Sequence, residues 1–239
     1  IVSFPEVEIE KIKKLAIYIK PSNIKNVLLN NIKNGKIKGS FDLTFNKQLI
    51  IEDFNFKSSV KGLDIYTKNQ LLLKNTSFNF ASDRELILVN SFISKFKDVP
   101  IKNGALKIII NDDYLINGSL STKFQSSKEK LEEISSTFFE SKLFNNQFKI
   151  DVDLIHEFSA VVSKKLKIND YEYNLNGLVE KLDISLNKNM RFNFSEEEIS
   201  KLLFKKNQIK LSVNKKNNNI LKLEGDVKFN NGKLESYKL

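Results

Sequence analysis

The chain has 239 residues, of which 41% are hydrophobic and 28% are charged, a balance that indicates a folded protein rather than a disordered one. It contains no cysteine, which excludes disulfides and thiolate metal sites. No apolar run approaches the roughly 18 residues of a membrane span, and no signal peptide is evident. Because the first residue is Ile1, we expect a fragment or a processed form.

The formal net charge of +10 has two explanations. Binding to nucleic acid or to anionic lipid is one. Codon bias in an AT-rich genome is the other, since Lys, Asn, Ile and Phe are all abundant. The lysines are spread along the chain at outward positions, and this favours the second explanation. We therefore expect no nucleic-acid partner, and a weak preference for anionic surfaces stays compatible with the charge.

The chain opens with two predicted strands, around Val7–Ile9 and Leu15–Ile19. Apolar residues at helical spacing then predict a short helix from Ile24 to Ile32, which ends near Asn34-Gly35. From residue 37 onward, apolar and polar residues alternate through strand after strand, interrupted at two places.

The clearest strand pair is Val99–Phe124. Leu106, Ile108 and Ile110 share one face, a turn follows at Asn111, and Ile116, Leu120 and Phe124 share one face of the return strand. Strict alternation over this length is typical of half-buried antiparallel strands. Gly118 falls in phase with the apolar residues, so we expect a gap on that face.

Two capping boxes predict helices at the two places where the run of strands is interrupted. Ser126 with Glu129 predicts the longest helix, over residues 126–144, and Ser195 with Glu198 predicts a short helix through Leu202 and Leu203. We expect one β segment over residues 1–239. A sub-boundary within it would fall near the helix at residues 126–144.

Most of the glycines belong to two short patterns. Apolar-polar-Gly-x-apolar occurs at Gly39, Gly118, Gly177 and Gly225, and Asn-Gly-x-apolar opens other strands. Gly inside a strand marks a bend, a bulge or a close approach. We expect the in-strand glycines to let the sheet curl and to leave space along its concave side, although ordinary bulges in a sandwich explain them equally well.

These patterns resemble the AsmA-like family of the YhdP and TamB type. Pro100–Phe124 (PIKNGALKIII…YLINGSLSTKF) and Leu221–Leu239 (LKLEGDVKFNNGKLESYKL) carry the resemblance best. It implies a periplasmic segment of an inner-membrane-anchored protein, related to bridge-like lipid-transfer proteins. Phospholipid would pass towards the outer membrane along a long, open, taco-like groove.

The expected fold class is therefore mainly β: one long, twisted, curved antiparallel sheet that forms an open groove, with a few short helices. Acyl chains of phospholipid are the expected partner, membranes would be reached through parts outside this chain, and other envelope proteins are further candidates. No catalytic residue, metal or cofactor is expected. The predicted groove lining is Phe41, Phe54, Phe56, Phe78, Phe80, Leu88, Phe92, Ile108, Ile110, Leu120, Phe124, Ile150 and Val152.

The alternatives are an enzyme, a closed β module and an assembly scaffold. His156 is the only histidine, and no phosphate loop or nucleophile elbow is present, so the sequence argues against catalysis. A structural or adhesive sandwich with a sealed core explains the alternation equally well. A scaffold for outer-membrane protein assembly would use exposed strand edges instead.

Overall fold

The computed structural model describes residues 1–18, 23–67, 70–136, 145–191, 198–215, 220–224, 226–230 and 233–238. Three short helices lie within these ranges: α1 (Ile9–Ala16), α2 (Asn23–Asn31) and α3 (Lys128–Ser135). The strands are β1 (Val2–Glu8), β2 (Ile32–Lys33), β3 (Lys36–Phe45), β4 (Ile51–Thr67), β5 (Gln70–Ser82), β6 (Leu86–Phe96), β7 (Val99–Ile110), β8 (Asp113–Ser127), β9 (Gln147–Ser163), β10 (Ile168–Arg191), β11 (Glu198–Asn214), β12 (Ile220–Glu224), β13 (Asp226–Asn230) and β14 (Lys233–Lys238).

All the described strands belong to one sheet, and this confirms the predicted fold class. The strand order is β1-β3-β4-β5-β6-β7-β8-β9-β10-β11-β14-β13, with β2 paired to β4 and β12 paired to β11. The order begins at β1 and ends at β13, so the sheet is open. The pairing is antiparallel apart from β11 with β14, which run parallel.

The chain divides into two compact units. Unit 1 comprises Ile1–Ser121 and Glu157–Glu172, and unit 2 comprises Thr122–His156 and Tyr173–Leu239. The expectation of a single segment with a sub-boundary near residues 126–144 stays a prediction.

The first helical region differs in part from the expectation. The predicted helix from Ile24 to Ile32 is confirmed as α2. The predicted strand at Leu15–Ile19 is wrong in its described part, because Leu15 and Ala16 end α1 and Ile17 and Tyr18 form a turn, while Ile19 lies outside the described residues. Ile9 and Ile12 of α1 pack against buried Val60 of β4, and this contact favours helical spacing over alternation.

The first predicted capping box does not form as expected. Helix α3 spans Lys128–Ser135, and the rest of the predicted helix, residues 137–144, lies outside the described residues. Ser126 Oγ donates to the carbonyl of Ser127 at 3.3 Å, so Ser126 does not cap the helix.

The second predicted helix is wrong. Glu198–Asn214 forms strand β11, which is paired with β12 and β14. Backbone pairing with neighbouring strands therefore outweighs the local helix signal, while Ser195 lies outside the described residues.

Four neighbouring strands of unit 1 are bulged at a residue with positive φ. These residues are Gly62 in β4, Asn75 in β5, Ser91 in β6 and Asn103 in β7, with φ between 52° and 69°. The register shifts at these places in the pairings β4–β5, β5–β6 and β6–β7. A bulge reverses which face the following residues occupy and increases the local twist.

The expectation of empty space is wrong at Gly39, Gly118 and Gly177, where atoms of other residues already occupy the position of a side chain, and Gly225 lies outside the described residues. In unit 1, a Cβ added at Gly118 would clash with the ring of Phe158, and one at Gly104 would lie 2.7 Å from Phe92 Cβ. A Cβ at Gly39 would lie 2.9 Å from Phe4 Cζ. Each of these glycines thus leaves room for a phenylalanine side chain of another strand.

We predict that Gly118→Val destabilises the chain by about 1–3 kcal/mol, because the new side chain displaces the Phe158 ring. Urea unfolding of both chains measures the difference. Ala105→Val is the matched control, since Ala105 is an exposed strand residue of the same unit, and it should change stability by less than about 0.5 kcal/mol. Equal stability of the Gly118 variant and the wild type would contradict the proposed ring contact.

Candidate functional site

One face of unit 1 is apolar, and the strand register shows which residues share it. Phe41 lies opposite Phe56, and Leu43 lies opposite Phe54. Residues directly opposite one another point to the same side of a sheet. The set defined in this way is the apolar face: Phe4, Phe41, Leu43, Phe54, Phe56, Val60, Phe78, Phe80, Ile87, Val89, Phe92, Leu106, Ile108 and Ile110.

Phenylalanine rings form a continuous row across this face. The rings of Phe41 and Phe56 stack with their centroids 4.3 Å apart, and Phe4 lies 6.1 Å from Phe41. Phe80 meets Phe56 edge-on at 5.5 Å. These separations lie in or near the range in which aromatic pairs attract. The row therefore joins strands β1, β3, β4 and β5 through side-chain contacts.

The apolar face is covered at one end and half-exposed at the other. Ile9 and Ile12 of α1 and Leu28 of α2 pack on the buried pair Val60 and Leu63. Within the phenylalanine row, Phe41 keeps 38% of its surface exposed. Nine apolar side chains are buried among the described residues, although 41% of the chain is hydrophobic. Val60 is buried and the members of the apolar face other than Val60 and Phe41 are half-buried, so part of this face is accessible to a ligand.

A polar run crosses the reverse face of unit 1. Lys38 lies opposite Ser59, Ser59 lies opposite Asn79, and Asn79 lies opposite Asn90. Apolar residues border this polar run on the same face, since Leu88 lies opposite Ala81 and Leu86 lies opposite Ile109. The reverse face is therefore mixed, and its polar part is the side that suits contact with water.

One predicted lining residue, Leu88, is wrong for this face. It lies opposite Ala81 on one side and Lys107 on the other, on the reverse face. Ile87 and Val89 occupy the apolar face instead. The prediction assumed unbroken alternation from Leu88 to Phe92, whereas the bulge at Ser91 reverses the phase between them.

The structure divides the other predicted residues between the two units. Unit 1 brings eight of them together on the apolar face: Phe41, Phe54, Phe56, Phe78, Phe80, Phe92, Ile108 and Ile110. Leu120 lies in β8 of the same unit. Phe124, Ile150 and Val152 belong to a cluster in unit 2. Their role as a groove lining stays a prediction.

The predicted lining omitted six residues of this face: Phe4, Leu43, Val60, Ile87, Val89 and Leu106. Phe4 precedes Pro5, and Pro5 obscured the strand signal of β1. The period-two pattern contains Ile87 and Val89 as a pair, and only the position of the bulge shows that this pair is the one on the apolar face.

Unit 2 contains its own apolar cluster. Val152, Leu154 and Val179 are buried, and the half-buried residues packed on them are Phe124, Ile150, Leu175, Leu182 and Ile209. Gly177 lies against the backbone and side chain of Leu154, which brings β9 and β10 close together there.

Unit 2 also contains three hydrogen-bonded polar side chains, Thr122, His156 and Tyr173. His156 Nε2 and Thr122 Oγ1 are 2.8 Å apart, and His156 Nδ1 lies 2.7 Å from the hydroxyl of Tyr173. Burial lowers the pKa of His156 and raises the pKa of Tyr173. Both groups are therefore neutral at pH 7, and the neutral imidazole can donate through one nitrogen and accept through the other.

Among the described residues, no group of three or more His, Asp or Glu side chains is placed to hold a metal ion. No described helix has the length and apolar character that crossing a membrane requires. Comparisons with family models, with curated proteins and with solved structures give no significant match for this chain.

We predict that the free energy of unfolding falls as the pH drops below about 6.5, the usual pKa of histidine. The folded pKa of His156 lies below that value, so the unfolded chain binds more protons over the interval between the two pKa values, and acid favours unfolding there.

Urea unfolding at pH 7.5 and at pH 5 measures this change, in the wild type and in a His156→Gln variant. The variant should lose this part of the pH dependence, because the amide can hydrogen-bond without titrating. An equal change in the two chains would contradict the assignment to His156.

Proposed function

We propose that the chain is a non-enzymatic lipid-binding segment whose apolar sheet face holds the acyl chains of phospholipid. The observation that carries the proposal is the half-exposed apolar face of unit 1, with its row of phenylalanines. A contiguous apolar surface of this kind in a soluble monomer usually marks a binding site.

The dimensions of the row suit an acyl chain. It crosses strands β1, β3, β4 and β5, and at about 4.8 Å per strand it extends on the order of 15 Å. One leaflet of a bilayer core has about the same thickness, since the whole core measures about 30 Å. The row could therefore cover much of one extended acyl chain.

The chemistry of the face also suits hydrocarbon. Ring faces and aliphatic side chains offer apolar area without directional bonds, so an acyl chain can shift along them at little cost. The headgroup would stay in water beyond the apolar face, and the lysines and amides of the reverse face would keep the other side of the sheet hydrated.

The described strands form one sheet and supply no second sheet to seal the apolar face. This supports an open binding face over a sandwich with a closed core. The resemblance to the AsmA-like family extends the proposal: the chain would be a periplasmic segment of an inner-membrane-anchored protein that moves phospholipid towards the outer membrane.

We predict that Phe54→Asp and Ile108→Asp each lower the amount of bound phospholipid at least about tenfold, because a carboxylate on the apolar face must lose its hydration when an acyl chain binds. Native mass spectrometry of the chain incubated with phosphatidylethanolamine measures the bound fraction.

Lys57→Asp and Lys107→Asp are the matched controls. They place the same charge on the same two strands but on the reverse face, and they should bind lipid as the wild type does. The proposal fails if the wild type binds no lipid, or if the two pairs of variants lose binding equally while remaining folded by circular dichroism.

A further inference from the structure

Four strand-connecting turns lie at one end of unit 1, and hydrogen bonds join each to the next. Arg84 Nη2 donates to the carbonyl of Ile51 at 2.7 Å, which joins the β5–β6 turn to the β3–β4 turn. The Ile110 amide donates to the carbonyl of Glu85 at 2.7 Å, and this bond continues the series to the β7–β8 turn.

The fourth turn joins the series through a side-chain bond. Asn169 Nδ2 donates to Asp113 Oδ2 at 3.2 Å, which connects the β9–β10 turn to the β7–β8 turn. The four turns therefore form one rim of the unit.

The two outer turns of this rim have the same local structure. Turn A is Asn46–Ile50 and turn B is Ser163–Lys167. In turn A the Asn46 amide donates to the carbonyl of Ile50 at 2.9 Å, and in turn B the Ser163 amide donates to the carbonyl of Lys167, also at 2.9 Å.

The first side chain of each turn makes an equivalent bond. Asn46 Oδ1 accepts from the Ile50 amide at 3.0 Å, and Ser163 Oγ accepts from the Lys167 amide at 3.2 Å. The two turns thus share both their backbone bonds and their side-chain bond.

Each turn places a leucine where the backbone favours glycine or asparagine. Leu49 has a φ of 59° and Leu166 has a φ of 61°. Positive φ is uncommon for a bulky side chain, and a three-residue hairpin loop usually places Gly or Asn there. Leucine at the same strained position in both turns is a reason to look for a function.

Both leucines point into solvent beside lysines. Leu49 is 82% exposed and Leu166 is 55% exposed. Ile50 and Ile168 are also exposed and enlarge the apolar surface at turns A and B. The lysines that accompany them are Lys47 in turn A and Lys164, Lys165 and Lys167 in turn B.

The two inner turns differ in composition. They carry Asp83, Arg84, Glu85, Asn111 and Asp112, and no large apolar side chain of these turns is exposed. Apolar surface on this rim is therefore concentrated in turns A and B. Six strand spacings separate the two turns, on the order of 30 Å.

We propose that this rim of unit 1 docks on the surface of a bilayer containing anionic lipid, with Leu49 and Leu166 inserted at the level of the headgroups. Exposed leucines beside lysines are the combination that binds such an interface, since the apolar groups leave water and the ammonium groups meet lipid phosphates. The residues that dock are separate from those of the apolar face.

The test is co-sedimentation of the full chain with vesicles of phosphatidylcholine containing roughly a third phosphatidylglycerol. The double variant Leu49→Asn/Leu166→Asn should bind at least about fivefold more weakly, because it removes both exposed leucine side chains. Asparagine tolerates positive φ, so the turns should keep their structure and the thermal stability should not fall.

A second variant tests the charge. Lys164→Gln/Lys165→Gln should lower binding to these vesicles about tenfold and leave the weaker binding to pure phosphatidylcholine unchanged. Ile93→Thr is the matched control, since Ile93 is 53% exposed in β6 of the same unit but lies away from the turns, and its binding should equal that of the wild type.

Two results would overturn the proposal. One is a wild-type chain that sediments equally with and without vesicles. The other is undiminished binding by the double asparagine variant. Native mass spectrometry of the same variant distinguishes the two proposals, because loss of docking should leave acyl-chain binding to the apolar face intact.

Discussion

The antiparallel hydrogen-bond ladder is the constraint on which the rest of the structure depends. It holds directly opposite residues on the same side of the sheet, so alternating sequences on successive strands give one apolar side and one polar side. A slip of one residue would exchange the two sides. The Phe41–Phe56 stack and the polar run from Lys38 through Ser59 to Asn79 both follow from the same register.

Bulges modify this constraint without destroying the face. In β6, Val89 lies on the apolar side before the bulge at Ser91, and Phe92 lies on it after the bulge. In β7, Ile101 lies on this side before the bulge at Asn103, and Gly104 lies on it after the bulge. Because adjacent strands are bulged at neighbouring positions, their apolar residues remain together. The rings of Phe4 and Phe92 then lie over Gly39 and Gly104. The result is a filled surface, where the glycine pattern alone suggested hollows.

The sequence was sufficient where alternation runs unbroken. Strands β3 and β4 keep one register from Ile37 to Thr44, and Phe41, Phe54 and Phe56 lie where the pattern placed them. It failed at Leu88 because Ser91 gives no turn signal, whereas Gly62 does. It failed at β11 because a capping box is local, while pairing with β12 depends on residues farther along the chain. Long-range pairing can override local propensity in this way.

The rim that would dock on a bilayer and the apolar face that would hold acyl chains would act at successive stages of moving a phospholipid out of a membrane. Moving a phospholipid through water exposes its acyl chains, at about 0.8 kcal/mol for each methylene. A sheet face that holds hydrocarbon lowers that barrier only if lipid can reach it without first crossing bulk water. The Leu49 and Leu166 turns lie on the strands that carry the apolar face or continue its sheet. A rim seated among headgroups would therefore shorten the aqueous path, and this is why a lipid-binding face gains from apolar turns at its end.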